Sequence, residues 1–282
     1  MILFKTVSDL QKHLQKTKTA NKSIGFVPTM GALHDGHLSL VKLSQSKAGI
    51  TVCSIFVNPT QFNNSSDFDK YPITIDNDIY LLEKQGCDIL FLPSEKEIYP
   101  GGKELKEKYD LGFIETILDG AYRPGHFQGV CQVVDRLLDI VQPDYLFLGQ
   151  KDYQQVMVLR RMIELKNHAV QIIVGETLRE PSGLARSSRN LRLSEDEKQK
   201  ATAVYNALSY IKENTGTTSL SELKRHAAEM LMNSGFHKID YISISDAGTL
   251  APLEKYDSAI SSVALVAAFM GEVRLIDNML LN

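Results

Sequence analysis

The chain has no tryptophan and only three cysteines in 282 residues. Cys53, Cys87 and Cys131 are odd in number, widely spaced and set in apolar segments. That excludes a disulfide framework and a paired-cysteine metal or redox motif, and they read as reduced packing residues of a cytoplasmic protein. Long apolar runs are also missing. The longest, Val263 to Met270, falls far short of the roughly 20 residues a membrane span needs. The N-terminus, MILFKTVSDLQKHLQ, turns polar too early for a secretory leader. Neither sign of charge dominates: 31 Lys and Arg face 34 Asp and Glu, for a net charge of −3. With no dense basic stripe, neither nucleic acid nor a membrane is expected as a partner. Repeats and low-complexity tracts are absent. What remains is 43% hydrophobic and 23% charged, the composition of a soluble globular protein of one large domain or two ordinary ones.

Against those absences one stretch organises the rest: Ile24 to Val41, IGFVPTMGALHDGHLSLV. Ile24–Val27, bounded by Pro28, predicts a buried strand. Leu38, Val41 and Leu43 at helical spacing predict a helix, with Asp35 placed as its N-cap. The turn between them carries Gly31, Gly36, His34 and His37. A strand, a glycine-containing turn and a fresh helix start make an anion site, since unpaired N–H groups and the helix dipole both favour a phosphate. The turn lacks the Walker A pattern and the G-x-G-x-x-G dinucleotide fingerprint. It offers H-x-G-H, which resembles the tetrapeptide of class I aminoacyl-tRNA synthetases and nucleotidylyltransferases, proteins that split ATP between its α and β phosphates. On the residues alone, two surface imidazoles on a loop remain an equal reading. Zinc fits poorly, because two ligands are too few.

In chain order, residues 5–18 predict a short polar helix. Ile50–Val57 is a second buried strand, broken by Pro59. Ile73–Gln85 is helical and stops at Gly86, a natural C′ position. Asp88–Leu92 is a third strand, and residues 94–125 are partly irregular. Gln128–Val141 is helical, Asp144–Leu148 a fourth strand, a helix then runs to about Asn167, and Val170–Val174 is a fifth strand. This alternation predicts an α/β fold: a Rossmann-like parallel sheet with helices on both faces. Thr29–His37, Asn58–Phe62 and Gly149–Asp152 each follow a strand directly, so all three meet at the sheet's carboxyl edge, where such sheets bind ligands. Beyond the Arg- and Ser-rich loop Thr177–Leu193 come helices at Ser194–Glu213 and Ser219–Asn233. Strands follow at Ile239–Ser245, Val263–Ala268 and Val273–Asp277. They predict a smaller α+β domain at 176–282 after a catalytic domain at 1–175, with the Arg/Ser loop in the cleft between.

PTMGALHDGH at 28–37, FVNPTQF at 56–62, GQKDYQQ at 149–155 and GLARSSRN at 183–190 together resemble the pantothenate synthetases (pantoate–β-alanine ligases) of the HxGH nucleotidylyltransferase superfamily. The resemblance implies an ATP-dependent ligase that condenses (R)-pantoate with β-alanine through a pantoyl adenylate, releasing pyrophosphate and then AMP. It implies Mg²⁺, a cytoplasmic homodimer, and a C-terminal domain closing over the active site. Carried over residue by residue, His37 is the proton donor, with His34 and Lys151 beside it in catalysis. ATP would be bound by Met30, Gly31, Ala32, Leu33, His34, Asp35, Gly36 and His37, by Gly149, Gln150, Lys151 and Asp152, and by Leu178, Arg186, Ser187, Ser188 and Arg189. Gln61 and Gln155 would bind pantoate and Gln61 also β-alanine, with Asn58 in support. No residue is assigned to a metal.

Each residue has a plainer reading. Lys151 can be a solvated lysine at a helix start, Asp152 a helix N-cap, and Met30, Phe56 and Val130 core residues rather than a wall for pantoate's dimethyl carbon. Two positions depart from the family pattern: Gln150 replaces an acid, and Arg186 stands where methionine is usual. Leu178 is a conservative variant at an adenine contact. The alternatives are a simple nucleotidylyltransferase, or a non-catalytic nucleotide-sensing module on the same fold.

Overall fold

The structure, a computed structural model, describes residues 1–63, 65–105 and 107–282, with the backbone alone at 65 and 66. Its contacts divide the chain into two units: Met1–Gln150 with Gln154–Glu176, and Lys151–Tyr153 with Thr177–Asn282.

The first unit runs β1 (Ile2–Phe4), α1 (Val7–Thr19), β2 (Ile24–Thr29), α2 (Asp35–Gln45), β3 (Ile50–Ile55), α3 (Ser65–Asp69), α4 (Ile75–Gln85) and β4 (Ile89–Phe91). It continues with α5 (Glu95–Ile98), α6 (Leu118–Tyr122), α7 (His126–Val141), β5 (Tyr145–Gly149), α8 (Tyr153–Lys166) and β6 (Gln171–Gly175). Six parallel strands stand in the order β1-β4-β3-β2-β5-β6. Strand side chains alternate between faces, and that alternation sorts the apolar residues into two cores. Phe26, Val52, Ile89, Phe91, Leu146 and Leu148 pack with apolar residues of α1, α7 and α8. Val27, Cys53, Ile55, Leu90 and Phe147 pack with those of α2 and α4. Such double-faced burial is why these strands read as continuous apolar runs. The three cysteines are free and buried. Burial pushes the Cys87 thiol up to about 11, as suits a packing residue.

β1 escaped the sequence reading, because three residues on a sheet edge give no alternation to detect. β2 continues through Pro28 to Thr29 instead of stopping at the proline. Its ladder with β5 covers only Gly25 and Phe26, so the amide hydrogen that Pro28 lacks has no β5 partner to lose. Of the irregular stretch 94–125, Lys106 lies outside the described residues. The remainder contains α5, α6 and a 3₁₀ turn at Gly112–Glu115.

The second unit contains α9 (Glu195–Ala201), α10 (Ala203–Asn214), α11 (Leu220–Asn233) and the antiparallel strands β7 (Lys238–Asp246), β8 (Ser262–Met270) and β9 (Val273–Leu280), in that order across the sheet. The helix expected over Ser194–Glu213 is broken at Thr202. Val204, Leu208 and Ile211 of α10, Leu223 and Leu231 of α11, and Val266 and Leu275 of the sheet form its core. No helix among the described residues is long and apolar enough to cross a membrane.

Candidate active site

The order of strands sets a switch point. From β2 the winding proceeds through β3 to β4, whereas β5 and β6 lie on the other side of β2. The reversal falls between β2 and β5, the position where doubly wound sheets take their ligands. The two strands pair only at Gly25–Tyr145 and Phe26–Leu146, and both run three residues further without pairing. The loops that follow β2, β3 and β5 hold Met30–His37, Asn58–Gln61 and Gln150–Asp152, whereas Gln155 lies on α8 and the Arg/Ser loop follows β6.

After β2 the backbone turns sharply. Gly31 has φ +80° and Ala32 φ +48°, the second in the left-handed region that costs a non-glycine residue about 1–2 kcal/mol. Asp78, fully buried near the start of α4, holds this turn. Its carboxylate accepts from Ala32 N at 2.9 Å, Leu33 N at 2.8 Å and the Thr74 hydroxyl at 3.0 Å. Thr29 braces the same loop, donating to Ser54 O at 2.7 Å and accepting from Gly31 N at 3.2 Å. Sequence reading missed Asp78, because an acid in the first turn of a helix is ordinary there.

The N-cap of α2 is His34, with Asp35 displaced into the first turn, a correction to the cap assigned from sequence. His34 Nδ1 accepts from Gly36 N at 3.1 Å, and His37 Nδ1 accepts from His34 N at 3.4 Å. The two imidazoles thus close a capping box usually built from Ser/Thr and Glu/Gln. Here the box fixes chemistry as well as structure. A backbone N–H can only donate, so both Nδ1 atoms are acceptors, and in the neutral rings the proton sits on Nε2. The rings lie 4.1 Å apart between centroids, presenting two Nε2–H donors at a helix start.

The loop after β3 holds Gln61 from several directions. Asn58, itself buried, accepts at Oδ1 from Thr60 N at 3.4 Å and from the Tyr99 hydroxyl at 2.8 Å, and its Nδ2 donates to Gly129 O at 3.1 Å. Burial pushes the Tyr99 hydroxyl up to about 12, so it remains a donor at neutral pH. With Asn58 so oriented, Nδ2 also donates to Gln61 Oε1 at 3.1 Å, leaving Gln61 Nε2 directed at the Met30 sulfur, 3.1 Å away. His126 fixes the other end. Arg123 Nη1 lies 2.9 Å from its Nε2 and can only donate, so Nδ1–H donates to Gln61 O at 2.7 Å. Gly129 admits this contact: a Cβ there would collide with the Thr60 carbonyl. Phe56 and Val130 belong to the core, while Met30 is half-buried against Gln61. Gln155 is half-buried on the first turn of α8. His126 and Tyr99 carried no sequence signal of this role, since Gln61 and Asn58 are remote from them in the chain, and Arg123 acts only through His126.

Gly149 ends β5, and an added Cβ would meet no protein atom within 4 Å, which leaves its backbone approachable. Gln150–Asp152 form a 3₁₀ turn. In the second unit Lys151 Nζ lies 3.4 Å from Asp152 Oδ1, with the lysine largely buried and the aspartate half-exposed. The Arg/Ser loop is hydrogen-bonded within itself. Arg186 N donates to Leu178 O at 2.9 Å and Glu180 N to Leu184 O at 2.8 Å, making a small hairpin. Ser187 then caps a 3₁₀ helix, Ser188–Arg192, in which Ser188 and Asn190 are buried.

Metal-ligating chemistry gathers elsewhere. Among the described residues the one group able to hold an ion is Asp135, Asp139 and His168. Asp135 is already bonded to His168 Nε2 at 2.6 Å and to the Tyr109 hydroxyl at 2.7 Å. The loops at the strand ends are rich in N–H donors instead.

Strand order, the reversal of winding between β2 and β5 and the helix start after β2 define a doubly wound α/β protein. The sequence model of the pantoate-beta-alanine ligase family matches residues 2–280. Pantothenate synthetase of Cytophaga hutchinsonii is 43% identical over 286 residues, covering 100% of this chain and 99% of that protein. That of Bacteroides thetaiotaomicron is 41% identical over 278 residues, covering 99% and 98%. The crystal structure of pantothenate synthetase from Thermus thermophilus superposes with a TM-score of 0.91 at 39% identity, covering 99% of both chains. Pantoate-beta-alanine ligase from Francisella tularensis, complexed with beta-gamma ATP and beta-alanine, gives 0.81 at 39% identity, covering 99% and 97%. The chain belongs to the pantoate–β-alanine ligase family.

Proposed function

We propose that this chain condenses (R)-pantoate with β-alanine in two steps driven by ATP. The observation that carries the reading is the pair of imidazoles, both held by backbone N–H groups as Nε2–H donors, at the switch point of a chain of this family. In the first step a pantoate carboxylate oxygen attacks the α-phosphorus, the bond to the bridging oxygen breaks, and pyrophosphate leaves. No strong base is required; the protein positions the reactants and stabilises developing negative charge. His37 donates to the phosphate oxygens, with His34 beside it and Lys151 as a point charge. Met30–Gly36, Gly149, Gln150 and Asp152 would bind the nucleotide, and the family pattern assigns the same role to Leu178, Arg186, Ser187, Ser188 and Arg189. In the second step the β-alanine amine attacks the acyl carbon, the acyl–phosphate bond breaks, AMP leaves, and the amine loses a proton.

Gln61 suits the acid substrates. Asn58 occupies its oxygen, so the choice of amide orientation is gone and Nε2 is the donor offered to a carboxylate or hydroxyl, with a sulfur as its present partner. Gln155 would share pantoate. Mg²⁺ fits as an ion carried on the triphosphate, where it keeps several waters and needs few protein ligands. Asp78, the buried carboxylate of α4 that faces the histidine loop, is already bonded to two backbone amides and a hydroxyl and so is engaged in holding that loop. A cytoplasmic homodimer with neither nucleic acid nor membrane as partner completes the reading.

The test is direct. Incubation with ATP, Mg²⁺, D-pantoate and β-alanine should yield AMP and pantothenate by mass spectrometry. Without β-alanine, labelled pyrophosphate should still exchange into ATP, and failure of that exchange would sink the adenylate route. Nucleotide transfer with no pantothenate formed would favour a simple nucleotidylyltransferase.

A further inference from the structure

β9 alternates as a half-buried strand should, with Val273 and Leu275 in the core and Arg274 and Ile276 half-exposed. Two residues then break the pattern. Asp277 continues the inward series, placing a carboxylate where an aliphatic side chain is called for. Asn278 falls on the outward series yet is only 2% exposed.

Each is satisfied by a segment of the second unit that the proposed function assigns to ATP. Arg179 reaches both Asp277 oxygens, at 2.5 and 3.0 Å. The same guanidinium donates to Gly183 O at 3.1 Å and Asn278 O at 3.3 Å, and lies 4.9 Å above the Tyr205 ring centroid. Gly183, at φ +91°, could not carry a side chain, because a Cβ would strike Tyr205. The 178–186 hairpin is therefore pinned to β9 at its turn, and its second arm leads straight into Ser187–Arg189. Asn278 serves the other segment. Its Nδ2 donates to Lys151 O at 2.8 Å, while its own N–H donates to Asp277 Oδ1 at 2.8 Å and ties the pair together.

A buried ion pair adds little net stability over apolar side chains of the same shape. What a bidentate fork supplies is a fixed orientation. We propose that Asp277 and Asn278 are positioning residues, one strand setting the backbone origin of Lys151 and of the Ser187–Arg189 segment together. This rests on the reading of Lys151 and Arg189 as triphosphate ligands.

The test uses the full-length enzyme and double-mutant cycles. Asn278→Leu keeps the branched four-atom shape but removes the donor; Arg179→Lys keeps the charge but removes the fork. Each should lower kcat/KM for ATP by roughly 10- to 100-fold, the scale of a 1 Å misplacement, with KM for β-alanine moved by less than about twofold. Placed in Lys151→Ala and Arg189→Ala backgrounds respectively, they should add less than about threefold, because the group they position is gone. Wild-type ATP kinetics in N278L and R179K, or effects that multiply fully in the double mutants, would overturn the proposal. Wild-type ATP kinetics in K151A and R189A themselves would instead remove the phosphate reading, and the proposal with it. Should N278L not fold, N278S, too short to reach the carbonyl, carries the same cycle.

Discussion

Replacing Asp78 by Asn changes almost no volume and asks whether one buried carboxylate holds the histidine loop. The carboxylate accepts three hydrogen bonds, two from the backbone of Ala32 and Leu33. An amide oxygen can keep the Leu33 and Thr74 bonds, which share Oδ1. Its NH₂ then faces the Ala32 N–H, donor against donor, inside a region without solvent. Losing a bond to a charged acceptor costs about 1.5–3 kcal/mol, and the bonds that survive weaken because their acceptor is neutral. Ala32, at φ +48°, is then freed to relax, which recovers part of about 1–2 kcal/mol of backbone strain. The net loss is about 2–4 kcal/mol. For a unit of roughly 170 residues that lowers Tm by roughly 5–12 °C. Relaxation of Ala32 and Leu33 also moves His34, the next residue, and a displacement of about 1 Å costs on the order of 10²-fold in rate. Calorimetry and pyrophosphate exchange with pantoate read the two effects separately. If D78N melts within about 1 °C of the parent and exchanges at the parent rate, Asp78 does not hold the loop.

His37→Ala should raise the activation free energy by about 3–4 kcal/mol, as for other oxyanion-type donors, and lower stability by about 0.5–1 kcal/mol because half of the capping box is lost; near-parent turnover, or outright unfolding, would contradict the assignment. Gly129→Ala drives a methyl into the Thr60 carbonyl, so KM for pantoate should rise at least about tenfold with an overpacking cost of about 1–3 kcal/mol. An unchanged pantoate KM would show that Gln61 does not depend on this approach. In the second unit the Thr249 hydroxyl and the Thr249 and Gly248 amides hold the Asp246 carboxyl below its ordinary 3.8. A lowered folded-state value stabilises above pH 3.8 and is lost as pH falls through the folded value. Asp246→Ala should therefore melt lower than the parent at pH 7, with the gap closing below pH 3.8; a gap independent of pH would point to packing instead.

Local signals carried the architecture. The apolar runs at 24–27, 50–57, 88–92 and 144–148 and the helices between them required a parallel sheet. Chain order alone then put H-x-G-H, Asn58–Gln61 and Gly149–Asp152 after strands, because strand burial and helix periodicity are properties of neighbouring residues. The family, too, was legible in four short motifs. Boundaries and partners were not. Pro28 could remain in a central strand only because β5 parts from β2 beyond Phe26. The N-cap passed from Asp35 to His34 because the second histidine could close the box. Asp78 lies 46 residues from Ala32, His126 65 from Gln61 and Asn278 127 from Lys151. Buried polar atoms must find partners wherever the fold provides them. Which side chains could do the chemistry was written in the chain, since that depends on residue type and local spacing. Which nitrogen of each histidine carries the proton, which atom of Gln61 is offered and what holds Lys151 in place emerged with the folded molecule, because contacts across it set each of these.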